Sequence, residues 1–199
     1  IFVYGQSLVQ AHKMKKLLES ALTLSRPLLI IADDVHGGAM AVQNLNISNN
    51  MFKSCSVKAP SFHTNRMELL EDIALITGAQ LIKIEEGKVL EKNLDPIIFG
   101  HADKVIVTKD KTTIIGGHGN IEAILKKGNE LKALNDSLMD SLEPDQNYLS
   151  HIRARVANFK STALIRVGAQ TEASMKERYD RFDDALHAIR ASVAEGILP

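Results

Sequence analysis

Only one cysteine, Cys55, occurs in this chain, so no disulfide can close within it. It sits in Phe52-Lys53-Ser54-Cys55-Ser56-Val57, which reads as a strand. A buried structural thiol is expected there rather than a reactive one, compatible with a reducing compartment. Net charge is also missing: Lys+Arg and Asp+Glu each number 24. Without a basic or acidic excess, neither nucleic acid nor an anionic membrane is expected as a partner. A charge near zero also gives little protection against self-association. No apolar run approaches membrane-spanning length. The purest, Leu28 to Ala32, is ended by Asp33-Asp34. Neither end reads as a signal peptide, and the abrupt apolar ends lead us to expect a piece of something longer.

Metal and phosphate signatures are equally sparse. The seven histidines, His12, His36, His63, His101, His118, His151 and His187, form no ligand cluster with the cysteine. No metal is expected, and the histidines read as solvated or capping. Gly116-Gly117-His118-Gly119 lacks the lysine-serine of a phosphate loop and the full dinucleotide fingerprint, so it reads as a loop–helix turn. Asp33-Asp34 follows a buried strand, a place where a carboxylate pair could meet Mg²⁺, but no third acid stands at fixed spacing. A solvated strand end with helix-capping character is the reading. No nucleophile–base set is visible.

What is present is an ordinary globular composition, 45% hydrophobic and 24% charged over 199 residues. Met14, Leu17, Leu18, Ala21 and Leu22 recur at helical spacing within residues 10–24. Arg26-Pro27 ends that helix, and the strand Leu28 to Ala32 follows. A second helical pattern runs from about Gly38 to Leu45. Strands are expected at residues 1–4, 52–57 and 80–84, with a helix at 66–76 closed by Gly78. Lys104 to Val107 and Thr112 to Ile115 read as paired short strands around Lys109-Asp110-Lys111. Beyond Asn120 the pattern turns helical. Segments 120–142 and 145–159, broken at Pro144, predict an antiparallel helical hairpin. A strand at 163–167 and one or two helices over 172–193 complete an α/β chain.

Several long segments, in order, resemble the group I chaperonins. They are Pro27-Leu-Leu-Ile-Ile-Ala-Asp-Asp-Val-His-Gly-Gly-Ala39, Val57-Lys-Ala-Pro-Ser-Phe62 with Arg66, Leu69-Leu-Glu-Asp-Ile-Ala-Leu-Ile-Thr-Gly78, Thr112-Thr-Ile-Ile115, Val167-Gly-Ala-Gln-Thr-Glu172 and Arg181-Phe-Asp-Asp-Ala-Leu-His-Ala-Ile-Arg190. The resemblance implies an apical domain over residues 1–167, with a mixed sheet, flanking helices and a helical hairpin. It implies a partial helical intermediate domain over 168–199, and no equatorial ATP-binding domain.

It further implies an ATP-driven folding ring, a homo-oligomer that captures unfolded polypeptides and a lid co-chaperonin. The matching capture site is an apolar groove between helices at about 15–24 and 38–46. Its positions here are Lys15, Leu18, Met40, Asn44 and Leu45, with Asn46 beside them. Lys15 and Asn44 are polar where the family is apolar. That motivates an alternative, a specialised paralogue with weakened general binding that serves a dedicated partner or mixed ring. Asp184 matches the aspartate that supports ATP hydrolysis, and Glu172 matches an inter-subunit contact. ATP and Mg²⁺ belong to the full-length subunit, while this piece is expected to hold no cofactor and to be no enzyme. The glycine pair of the family's second hinge is replaced by Asn158-Phe-Lys-Ser-Thr162. Cytoplasm is the expected compartment, with an organelle matrix as the alternative.

Overall fold

A computed structural model describes residues 1–61, 63–83, 94–140, 145–159, 165 and 167–197. Ile1–Lys160 form one compact unit and Ser161–Pro199 a second.

In the first unit the chain alternates strand and helix: β1 (Phe2–Tyr4), α1 (Ala11–Leu22), β2 (Leu28–Ala32), α2 (Gly37–Ser48), β3 (Ser54–Lys58), α3 (His63–Thr77) and β4 (Leu81–Ile82). The four strands make a parallel sheet in the order β3-β2-β1-β4. Strand β2 is the most apolar segment of the chain, and all five of its residues are buried. Its alternation divides the core in two. Leu28, Ile30 and Ala32 join Phe2, Tyr4, Met14, Leu17 and Leu18 on the face covered by α1 and α2. Leu29 and Ile31 join Val3 and Leu70 on the face covered by α3.

A 3₁₀ turn at Pro96–Ile98 leads to the antiparallel pair β5 (Ala102–Val107) and β6 (Thr112–Gly117). Among the described residues this pair forms a sheet of its own. The expected mixed sheet is therefore two sheets, one parallel and one antiparallel, with Val105 and Ile114 packing into the α3-side core. Helices α4 (Ile121–Met139) and α5 (Gln146–Asn158) form the predicted hairpin. Asn120 caps α4 through Ala123 N, and Asp145 caps α5 through the N–H groups of Asn147 and Tyr148.

The glycine run after β6 has a packing explanation. Gly119 N donates to Ile76 O at 2.9 Å, and a Cβ on Gly119 would collide with the carbonyl oxygen of Leu75. The run brings backbone against the end of α3, where Gly78 turns the chain at φ +72°.

In the second unit residues 172–193, expected as one or two helices, form a single helix, α6 (Glu172–Glu195). The expected strand at 163–167 and the glycine-free hinge lie largely outside the described residues. Ile165 and Val167 are irregular. No helix among the described residues is long and apolar enough to cross a membrane.

One expectation about burial is corrected. Cys55 is exposed, not buried. Among the described residues strand β3 pairs only with β2 and forms the edge of its sheet. Its neighbour Ser56 takes the inward role, donating to Gln43 Oε1 of α2 at 2.6 Å.

Candidate functional site

Helices α1 and α2 lie side by side over the same core. Each leaves the carboxyl end of a parallel strand and shares a short connection. Ala39 N donates to Val9 O at 2.9 Å, and a Cβ on Gly38 would stand 3.1 Å from that of Ala11. Glycine at position 38 lets the two helices approach this closely.

That contact orients both helices. On α1, Ala11, Lys15, Leu18 and Leu22 form one stripe at helical spacing, and Ala11 places it toward α2. On α2, Gly38 and Leu45 share the flank toward α1. Gln43 marks the opposite flank through its bond to Ser56 of β3, and Met40 and Ile47 share its stripe. Asn44 stands exposed on the crest between the flanks.

The sequence-predicted residues therefore divide. Leu18 is 8% exposed and belongs to the core, forming the floor between the helices. Leu45, 64% exposed, stands on the side facing that floor. Met40 is 46% exposed but lies on the β3 flank with Ile47. Lys15 is exposed, its Nζ 3.7 Å from Glu19 Oε1. Asn46 is buried and ties α2 to the segment that precedes β3, donating through Nδ2 to Phe52 O at 2.6 Å.

One exposed leucine beside these positions escapes the sequence reading. Leu22 is 56% exposed and continues the stripe of Lys15 and Leu18. Periodicity assigns it to the core face, but it is the last residue of α1, where the helix ends beyond its support. The signal that could have found it is the four-residue step from Leu18.

At the N-terminal side of α2 the acids are occupied. Asp33 accepts from Ser7 Oγ at 2.9 Å and pairs with Arg66 of α3. Asp34 accepts from Val35 N and lies 3.2 Å from Lys58 Nζ. The Lys58 ammonium holds the Asp34 carboxyl below its ordinary pKa. Among the described residues no group of His, Cys, Asp or Glu is arranged to hold a metal ion.

A cavity of about 740 Å³ opens near the start of β2 and β3, bounded by Leu29, Lys53, Cys55, His101, Lys104 and Val105. A further cluster that no local spacing foretold links α3 and α5. Arg155 pairs with Asp72 and Glu68, and His151 Nε2 lies 2.9 Å from Glu68 Oε2.

In the second unit Asp184 and Glu172 are both on α6 and exposed. Glu172 borders a hollow of about 460 Å³ with Ile165, Val167, Met175 and Tyr179. Asp184 is accompanied by no phosphate-holding loop in that unit among the described residues.

No family model matches the chain. Across its whole length it is 39% identical to the mitochondrial chaperonin CPN60-like 2 of Arabidopsis thaliana, and it spans 34% of that protein. Its fold is similar to that of chaperonin gp146 from bacteriophage EL 2 (Pseudomonas aeruginosa), solved with ATP-BeFx. The TM-score is 0.54 at 18% identity, covering 100% of this chain and 39% of that one.

Proposed function

We propose that this chain, related over its whole length to the CPN60-like group I chaperonins, is a polypeptide-binding segment of such a protein. In this reading α1 and α2 present a shallow groove to unfolded polypeptide. Leu18 forms its floor and Leu22 and Leu45 stand along it. Lys15 and Asn44 interrupt the apolar surface, and Met40 extends it over the far flank of α2. The single observation that supports this best is the exposure of Leu22 and Leu45 over a core-bound Leu18 between adjacent helices. An exposed apolar strip flanked by polar groups suits non-native chain, which is met by side-chain burial rather than by covalent chemistry. A lid co-chaperonin would compete for the same strip, and the intact subunit would work in a homo-oligomeric ring.

Lys15 and Asn44 favour a second form of this reading, a specialised paralogue with a narrow client. Each removes apolar area that would add up to about 1.5–3 kcal/mol if fully buried. Asp184 would serve ATP hydrolysis only in the complete subunit. Glu172 would meet a neighbouring subunit. Of the two expected compartments, the organelle matrix gains support from the relative named mitochondrial.

The test is a titration of the chain with an unfolded model client, beside the double variant Lys15→Leu, Asn44→Val. Weak binding by the natural chain and roughly tenfold tighter binding by the variant are expected, about 1.4 kcal/mol. Tight natural binding that the variant leaves unchanged would overturn the idea of an impaired groove.

A further inference from the structure

The cavity of about 740 Å³ sits at the amino ends of β2 and β3, and none of Leu18, Leu22, Met40, Asn44 or Leu45 borders it. Its wall includes the buried Leu28, Leu29 and Phe99 and the half-buried Val105. Basic residues reach it from two parts of the fold. Leu28 N donates to Lys53 O at 2.9 Å, which sets Arg26 and Lys53 at the same end of the parallel sheet. His118 N donates to His101 O at 3.0 Å, bringing both histidines to the wall, and β5 adds Lys104.

The charges at this wall are not balanced by one another. Among the described residues the side chains of Arg26, Lys53 and Lys104 take part in no ion pair and no hydrogen bond. Asp103 is the only acid on the described wall, and His118 Nε2 already stands 2.8 Å from its Oδ1. Three cations against that one carboxylate leave a positive surplus before either histidine is protonated. The Ile1 ammonium is outside this count and donates to Gly100 O at 2.6 Å. The crowding is felt at His101, whose pKa is held below its ordinary value by burial first, then by the Ile1 ammonium, Arg26 and His118.

We propose that this cavity binds a small amphipathic organic anion, its carboxylate among Arg26, Lys53 and Lys104 and its apolar body against Leu29, Phe99 and Val105. The volume falls in the range of small-molecule sites, roughly 300–1,000 Å³. An apolar wall alone would take a neutral body as readily, and cations alone would hold a hydrated ion loosely. Both together select a molecule that carries both parts. Charge complementarity of this kind sets selectivity more than total affinity. The site is separate from the groove and stands whether or not the groove binds polypeptide.

The probes are 2-naphthoate, its neutral twin 2-naphthamide, and inorganic phosphate as an anion without an apolar body. Each is titrated calorimetrically into the 199-residue chain. A second readout is the rate at which iodoacetamide alkylates Cys55, the only cysteine, which is exposed and borders the cavity. Naphthoate is expected to bind about fivefold tighter than the amide at low salt and to slow alkylation, with the gap closing at ~0.5 M salt. The double variant Lys53→Gln, Lys104→Gln changes two exposed side chains and should remove most of that gap while circular dichroism stays unchanged. Leu45→Asp should leave the gap as it is. Equal affinity of naphthoate and amide would overturn the proposal, as would a gap that survives the double variant. Binding that leaves the alkylation rate of Cys55 untouched would put the ligand elsewhere and sink it. Phosphate displacing naphthoate at equal concentration would mark a plain cationic patch and overturn the amphipathic assignment. Absence of naphthoate binding would refute the site outright.

Discussion

Arg155 grips Asp72 with two prongs, its Nε 2.7 Å from Oδ2 and its Nη2 3.0 Å from Oδ1, with both side chains withdrawn from solvent. Its remaining nitrogen, Nη1, donates to Glu68 Oε2 at 2.5 Å. The bond to Asp72 raises the pKa of Arg155 above its ordinary value, so the guanidinium stays charged in the interior. The last turn of α5 is thereby fastened to the middle of α3, which itself closes one face of the parallel sheet.

Removing one side of this clamp strands the other. Asp72→Ala should destabilise the first unit by about 3–5 kcal/mol, because Arg155 is left buried without its main partner. Replacing both as Asp72→Leu, Arg155→Met should cost clearly less. Urea unfolding, with hydrogen exchange at the α3 and α5 amides, measures both. An additive double variant would refute the clamp.

Gly119→Ala should be expensive for a surface turn. The new methyl would meet the Leu75 carbonyl at the end of α3, and backbone cannot swing aside as a side chain does. A loss of about 1–3 kcal/mol is expected. The control Gly168→Ala, where no atom stands within 4 Å, should leave stability nearly unchanged. Thermal unfolding of the two variants gives the comparison.

Stability should also fall on mild acidification. Burial lowers the pKa of His101 below 6.5, aided by the positive charges of the Ile1 ammonium, Arg26 and His118. The folded state therefore binds the proton less readily than the unfolded state. The contribution is fully present above pH 6.5 and is lost as pH falls from there through the lowered folded value. His101→Gln should flatten stability measured between about pH 5 and 8; an unchanged slope would assign it to other groups.

Asn46→Ala tests whether that residue positions rather than binds. Loss of its bond to Phe52 O should cost about 1–2 kcal/mol and loosen the end of α2. Client affinity should drop with it. Asn46→Asp, which keeps the shape but cannot donate, should behave alike, whereas a residue in direct contact with client would separate the two variants.

The parts of this fold legible in the sequence are those in which one element carries its own pattern. Strand β2 announces itself by five consecutive apolar residues, and α1 by Met14, Leu17, Leu18 and Ala21. Local caps such as Asn120 and Gly78 fix helix ends within a residue or two. The exposure of Cys55 could not be read this way, because it depends on β3 being an edge, and that is set by which strand pairs with which. The Arg155 clamp joins residues 83 apart, a distance over which no periodicity speaks. At the groove, resemblance supplied the positions, but the turn of each helix decides which side chains meet. Hence Leu18 and Asn46 face inward, Met40 takes the other flank, and Leu22 joins the proposed groove.

The place of β1 in its sheet has a consequence for how the chain is made. Val3 sits opposite both Ile31 and Leu81, so the centre of the sheet is written first and its far neighbour comes 78 residues later. At about 5–20 residues per second, the ribosome leaves β1 open on that side for roughly 4–16 s. During that interval an apolar strand with a bare edge is displayed to the cell. A chain proposed to hold the unfinished strands of others passes through the same exposed condition during its own synthesis.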